Sequence, residues 1–226
     1  MKIKFTNTLE IPLDQPQPAI KMIPDWYRKT ESYIGGLKIP QEDSKTSATI
    51  KKCMPVFDAL TSGYIITSPA DVFVSLKDGL QWFQWSDFDL IAFHPIDQAP
   101  HHPLKKPHSY AKWNNPWAIS TPRGYSCLFV QPFHRESVFT ILPGVVDCDT
   151  YSNPVNFPFV INDPKFEGMI PKGTPIAQII PFKRESWFSE MGTQRDLNRA
   201  NEIRRMLKSK FFDSYKTMFW NKKEFK

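Results

Sequence analysis

The sequence predicts a mainly β protein: a sandwich or closed barrel of short strands, with an N-terminal leader and a C-terminal amphipathic α-helix. Three observations predict it. From Lys51 to Phe182, short β-branched and aromatic runs alternate with Pro, Gly, Asn and Asp, at the roughly ten-residue spacing of antiparallel strands joined by turns. Proline is abundant at 21 residues and glycine scarce at 9, a balance that excludes a helical bundle and suits stiff turns and edge segments. After Trp187 the apolar period switches to three and four residues, which is helical.

The elements follow in order. Residues 1–50 form the leader. Lys2–Phe5 reads as a strand, and Pro12, Pro16 and Pro18 follow it. Pro24, well placed at a first helical position, predicts a short helix from Pro24 to Ser32, ended by Gly35-Gly36. Residues 51–182 form the β domain. Its expected strands are Gly63–Ser68, Val72–Leu76, Leu80–Trp85, Ala118–Ser120, Ser126–Val130, Val138–Leu142, Asn156–Ile161 and Ile176–Pro181. The segment 93–115 interrupts the rhythm with a long, polar, Pro- and His-rich stretch, read as an exposed excursion of the kind that often carries function. In residues 183–226, Leu197, Ala200, Ile203, Leu207, Phe211 and Met218 form one helical stripe. Thr193 is placed to cap that helix, with Asp196 at the capping-box position.

Composition bounds the function. The chain has 7 Trp, 7 Tyr and 18 Phe, and 41% of its residues are hydrophobic, so it can build a sizeable core and is not a disordered chain. Its net charge is +6, and all of that surplus lies between Arg195 and Lys226. The first 194 residues are neutral, which argues against a body-wide nucleic-acid surface; only the basic tail offers one. Three cysteines fit neither a disulfide framework nor metal-ligand spacing, and point to a reducing compartment. No apolar run approaches the ~20 residues of a membrane span. The opening Met1-Lys2-Ile3-Lys4-Phe5 lacks a signal-peptide core, so a protein that is not secreted is expected.

Two stretches carry a resemblance. Gly144-Val145-Val146-Asp147-Cys148-Asp149-Thr150-Tyr151 and Lys172-Gly173-Thr174-Pro175-Ile176-Ala177-Gln178-Ile179 resemble, in order, two motifs of the dUTP pyrophosphatase and dCTP deaminase superfamily. Upstream, Pro122-Arg123-Gly124-Tyr125 and Ser62-Gly63-Tyr64-Ile65 are similar to two weaker motifs of that family. The resemblance covers residues 57–182 and implies a dUTPase-like jelly-roll β-barrel that assembles as a homotrimer. It implies that Asp147 activates water; the residues themselves offer Asp149 as a paired acid, or equally as an Asp that makes local hydrogen bonds in a turn between strands. The resemblance places Arg135, Tyr151, Gly173 and Gln178 at a nucleotide, with Mg2+ as the accompanying cation if the chemistry survives. A fainter likeness, in Pro24-Asp25-Trp26-Tyr27 and Lys112-Trp113-Asn114-Asn115-Pro116-Trp117, is to a family found in tailed bacteriophages and some bacteria. It implies the cytoplasm of a host cell, or the virion, as the location.

The departures are as informative. Gln131-Pro132-Phe133-His134-Arg135-Glu136-Ser137 stands where the family has its phosphate-binding Arg-Ser-Ser, and only Arg135 is shared. Ile65 replaces an acid of the first motif, and a basic helix stands where the family has a glycine-rich phosphate lid. The preferred expectation is therefore a non-catalytic scaffold that works by assembly or partner binding. The alternative is a divergent deoxynucleoside triphosphate hydrolase or deaminase-like enzyme that uses Asp147. A third reading makes His94, His101, His102 and His108, with Asp97 nearby, a metal site. Their spacing matches no familiar pattern, and a solvated loop collects histidine equally well. Cys127 and Cys148 lack an adjacent base, which disfavours nucleophilic catalysis. The apolar stripe of the C-terminal helix is expected to dock on the barrel or on a protein partner.

Overall fold

A computed structural model describes residues 1–39, 47–86, 88–95, 98, 102–103, 110–210 and 212–226 of the chain. The chain is mainly β, with antiparallel sheets and C-terminal helices. It divides into two compact units. Among the described residues, one comprises residues 1–22 and 63–184 and holds the strands; the other comprises residues 23–62 and 185–226 and holds the α-helices.

The strand unit runs β1 (Lys4–Asn7), β2 (Gln17–Pro18), β3 (Tyr64–Thr67), β4 (Val72–Lys77), β5 (Leu80–Gln84), β6 (Ile91–Phe93), β7 (Ala111–Trp113), β8 (Trp117–Ser120), β9 (Tyr125–Val130), β10 (Phe139–Ile141), β11 (Gly144–Val146), β12 (Phe157–Ile161), β13 (Gly168–Ile170) and β14 (Pro175–Lys183). Among the described residues these form four antiparallel sheets, ordered β11-β9-β14-β3-β2, β10-β12-β7-β6, β13-β4-β5 and β1-β8. None closes into a barrel. Most strands are short, and proline stops several of them: β2 ends at Pro18, and Pro143 separates β10 from β11, which lie in different sheets. A strand that changes sheet after three or four residues makes a layered body with open edges instead of a continuous ladder.

One core joins the sheets. Trp113 of β7 stacks on Phe159 of β12 at a centroid distance of 5.1 Å. Phe139 of β10 and Phe83 of β5 both meet Phe159 edge-on at 5.6 Å. Ile119, Cys127, Phe129, Ile141, Ala177 and Ile179 continue the same cluster. Period-two alternation explains which residues reach it: β4 buries Val72 and Val74 and exposes Phe73 and Ser75. Gly63, at the entrance to β3, has φ +73°, and a Cβ there would stand 1.8 Å from the Ile179 carbonyl oxygen. Only glycine combines that backbone with that approach.

The excursion is shorter than its sequence reads. Its two ends are strands, since β6 pairs with β7 with Phe93 opposite Ala111. Tyr110 is buried at the base. Apolar residues at the mouth of a polar loop fix its ends in the four-stranded sheet, whatever the middle does.

The helical unit contains α1 (Asp25–Lys29), α2 (Met54–Thr61), α3 (Gln194–Lys208) and α4 (Ser214–Met218). The α1 helix is present but shorter than expected: Pro24 is its N-cap, and it stops at Lys29 with Thr30 as C-cap, well before Gly35-Gly36. Lys51 Nζ donates to the Tyr27 and Arg28 carbonyls at 2.8 and 2.7 Å, supplying cationic donors to the end of α1. Tyr27 packs near Phe57 of α2 at 6.4 Å. Asp58 of α2 accepts from Trp220 Nε1 at 3.0 Å and from Lys223 Nζ at 2.6 Å, which ties the C-terminal residues to α2. The capping box of Thr193 and Asp196 opens α3. Thr193 Oγ1 accepts from the Asp196 amide, and the Asp196 carboxylate accepts from the Thr193 amide at 2.7 Å. The single C-terminal helix expected from periodicity is broken into α3, which stops at Lys208, and α4, which is entered through Asp213 at φ +57°. No residue of α3 is fully buried, although Ile203 and Leu207 of its stripe are partly covered near its C-terminal end.

Candidate functional site

The motif around Asp147 folds into an ion-pair cluster. β11 pairs with β9 so that Val146 faces Cys127. Cys148 then turns into the core, leaving Asp147 and Asp149 on the other side of the chain. β14 flanks β9 with Lys183 opposite Tyr125, and this register carries Arg184 beside Gly124. The Arg184 amide donates to the Gly124 carbonyl at 2.8 Å.

From that position the Arg184 guanidinium grips Asp149 in a two-pronged pair, Nη1 to Oδ1 at 2.7 Å and Nη2 to Oδ2 at 2.5 Å. Planar fork-to-fork pairing of this kind is among the stronger charge-assisted contacts. The Gly124 amide also donates to Asp149 Oδ2 at 2.7 Å. The Asp149 side chain is 2% exposed. Arg184 first, and the Gly124 amide second, hold its carboxyl down at about 2. The same contact raises Arg184 above its ordinary range.

Asp147 is placed differently. Its side chain is 58% exposed. Its Oδ1 accepts from Ser126 Oγ at 2.6 Å and lies 3.1 Å from Arg184 Nη1. Its carbonyl accepts from the amides of Thr150 and Tyr151 at 3.1 and 2.9 Å, closing a tight turn. Tyr151 is half-exposed, and its hydroxyl accepts from Asn153.

The other residues of the resemblance lie elsewhere. Gln178 stands mid-strand in β14, opposite Val130, four positions along β9 from Ser126, which is roughly 13 Å of strand. It is 1% exposed, and its Oε1 accepts from the Phe133 amide at 3.1 Å. It therefore braces the turn that follows β9. Arg135 leaves the same turn after His134, whose φ is +52°. Its guanidinium donates to the Met22 carbonyl, and burial lowers its pKa. Gly173, at φ +84°, makes the turn before β14, where its amide donates to the Ser68 carbonyl at 2.8 Å. It sits at the opposite end of β14 from Arg184, on the order of 30 Å away at ~3.3 Å per residue. The chain thus brings together Asp147 and Asp149, brings together Arg135 and Gln178, and leaves Gly173 alone.

Of the histidines, His94 donates its amide to the Tyr110 carbonyl, and His102 lies edge-on to the Tyr110 ring at 6.1 Å. His101, His108 and Asp97 lie outside the described residues. Among the described residues, no three His, Cys, Asp or Glu side chains converge as metal ligands. Cys127 and Cys148 are both fully buried, and the Cys148 contact together with burial pushes the Cys127 thiol far up. A thiol held protonated inside a core is no nucleophile.

Arg184 is the residue that reading the sequence missed. It stands just past the last apolar residue of the β14 run, where a basic side chain reads as solvated. Its role follows only from the pairing register, which sets it beside Gly124. No model of a known protein family matches the chain, and a search of curated proteins finds no match either.

Proposed function

We propose that this chain is a non-catalytic scaffold, a divergent jelly roll of the dUTPase type from a bacteriophage setting, that works by assembling with further copies of itself. The observation that carries the reading is the segment between β14 and α3. Trp187, Phe188 and Met191 are 85%, 93% and 93% exposed. Three large apolar side chains in one short stretch offer on the order of 500 Å2 of surface. A standard interface takes about 800 Å2 from each partner, and apolar area of this size is seldom left in water. Leu197, in the first turn of α3, is also exposed, at 53%.

The polar chemistry supports the same reading. Asp149 is held by Arg184 and Gly124, Gln178 braces a turn, and Arg135 donates to a backbone carbonyl. Asp147 and Tyr151 also have partners within the chain, Ser126 and Arg184 for the one and Asn153 for the other, but both remain half-exposed. The half-open Asp147 carboxylate is the one feature that favours the second reading, a hydrolase that uses it on deoxynucleoside triphosphates with Mg2+.

Light scattering and native mass spectrometry at micromolar concentration test the proposal. A homo-oligomer is expected, with a trimer as the favoured stoichiometry, and Trp187→Ser with Phe188→Ser should convert it to monomer. A monomeric wild-type chain overturns the assembly. Turnover of any deoxynucleoside triphosphate that is lost on Asp147→Asn would falsify the non-catalytic part.

A further inference from the structure

The helical unit carries a cleft of about 310 Å3 that owes nothing to the Asp147 cluster or to the exposed arm. Tyr33, Lys52, Lys210, Phe212, Asp213 and Lys216 line it, with Tyr215 at its wall. We propose that this cleft binds a nucleoside monophosphate, or a phosphorylated aromatic compound of that size.

Charge is the first argument. Three lysines and one carboxylate line the cleft, a surplus of two positive charges in a confined space. Lys52 Nζ lies 2.9 Å from Asp213 Oδ1, with both side chains about a quarter exposed. That contact neutralises the acid that would otherwise repel an anion. It leaves Lys210 and Lys216, which have no ion-pair partner among the described residues. A phosphate dianion complements two ammonium groups that line one cleft, since both offset its charge.

The second argument is the wall. Tyr33 and Phe212 meet edge to face at 5.7 Å, with ring planes at 85°. Tyr215 is 45% exposed beside them. Aromatic rings next to phosphate-binding cations are the pairing that holds a base and its phosphate together, since stacking tolerates any planar ring. Lys38 Nζ stands 4.8 Å from the Phe212 centroid and Lys52 Nζ 5.5 Å from the Tyr33 centroid, so those two rings already carry cations and Tyr215 is the ring offered for stacking. The third argument is size. The volume lies at the low end of the ~300–1,000 Å3 span of ligand sites, which suits a mononucleotide and is too small for a dinucleotide.

Calorimetry on the full chain at low salt decides the matter, with adenosine and uridine 5′-monophosphates, inorganic phosphate and adenosine as probes. Both monophosphates should bind at least tenfold more tightly than phosphate or the nucleoside alone. Lys210→Gln with Lys216→Gln should weaken nucleotide binding at least tenfold, Lys210→Arg with Lys216→Arg should retain it, and Tyr215→Ser should weaken nucleotide but not phosphate. Far-UV circular dichroism melts matching wild type establish that each variant is folded, and Lys165→Gln, on the exposed surface of the strand unit, should bind as wild type does. The proposal is overturned if neither monophosphate binds, if phosphate alone binds as tightly, or if the double glutamine variant keeps its affinity.

Discussion

The strand unit and the helical unit hold themselves together by different means. In the strand unit, fully buried aromatic and aliphatic side chains from all its main sheets meet in one cluster around Trp113, Phe139 and Phe159. Polar residues appear at its margins, and there they are tightly matched, as at Asp149 and Arg184. In the helical unit the buried apolar residues are few, chiefly Tyr27, Met54 and Leu60. Its ties are lysine-to-carbonyl contacts, ring edges and exposed ion pairs. Dispersion and burial scale with contact area, whereas exposed ion pairs are each worth about 0–1 kcal/mol. One unit is therefore rigid enough to present surfaces, and the other has surfaces to spare.

The largest effect that can break this contrast lies at Gly63. A methyl group there would overlap the Ile179 carbonyl, and the backbone is in the left-handed region besides. Gly63→Ala should cost about 3 kcal/mol or more, because β3 must move away from β14. A chemical-denaturation midpoint close to that of wild type would mean that the two strands are not held at the spacing described, and the rigid side of the comparison would fail.

Arg184→Gln probes the margin of the same unit, with a smaller expected loss. Asp149 has its carboxyl depressed to about 2 by Arg184 and Gly124, against about 3.9 in an unfolded chain. A depressed carboxylate contributes stability that is full above the unfolded value and is lost as pH falls through the folded one. Wild type should accordingly lose stability between about pH 4 and pH 2 from this group. The variant should melt a few degrees lower at pH 7 and converge on wild type near pH 2. Parallel pH profiles for the two proteins would show that the pair does not couple to folding.

These two sites also show what the residues alone disclose. β9 and β12 are legible because each is a run of five or six mostly apolar, β-branched and aromatic residues bounded by turn residues, as a strand buried on both faces reads. β11 and β13 are three residues each and expose two or more of them, so no pattern marks them as strands. The α2 helix hides in Met-Pro-Val-Phe-Asp-Ala-Leu-Thr, a stretch short enough to read either way, until Pro55 in its first turn is recognised as a helix start. At the Asp147 cluster the acids stand out through their motif, but Arg184 is distant in sequence and becomes visible only once β9 and β14 are in register. Pairwise chemistry between strands is a property of alignment in space, and a single sequence carries it only indirectly.

The smallest effect sharpens the other side of the comparison. The α3 helix has no fully buried residue, and only Ile203 and Leu207 of its stripe are partly covered, so its propensity, its cap and its charges carry much of its stability in the isolated chain. Its capping box satisfies two of the amides that open the helix. Thr193→Ala removes the side chain that accepts from the Asp196 amide, at about 1 kcal/mol of helix stability. Amide exchange along Asp196–Leu207 should quicken roughly fivefold, while the amides of β9 and β14 keep wild-type rates. The full chain should lose helical ellipticity at 222 nm without any shift in the denaturation midpoint of the strand unit. If α3 packs into an assembled partner, the same substitution should cost far less helicity above the assembly concentration than below it, because tertiary contacts then replace the cap as the main source of helix stability. A helicity loss that is the same at every concentration would leave α3 a solvated helix and move the assembly surface wholly onto Trp187, Phe188 and Met191.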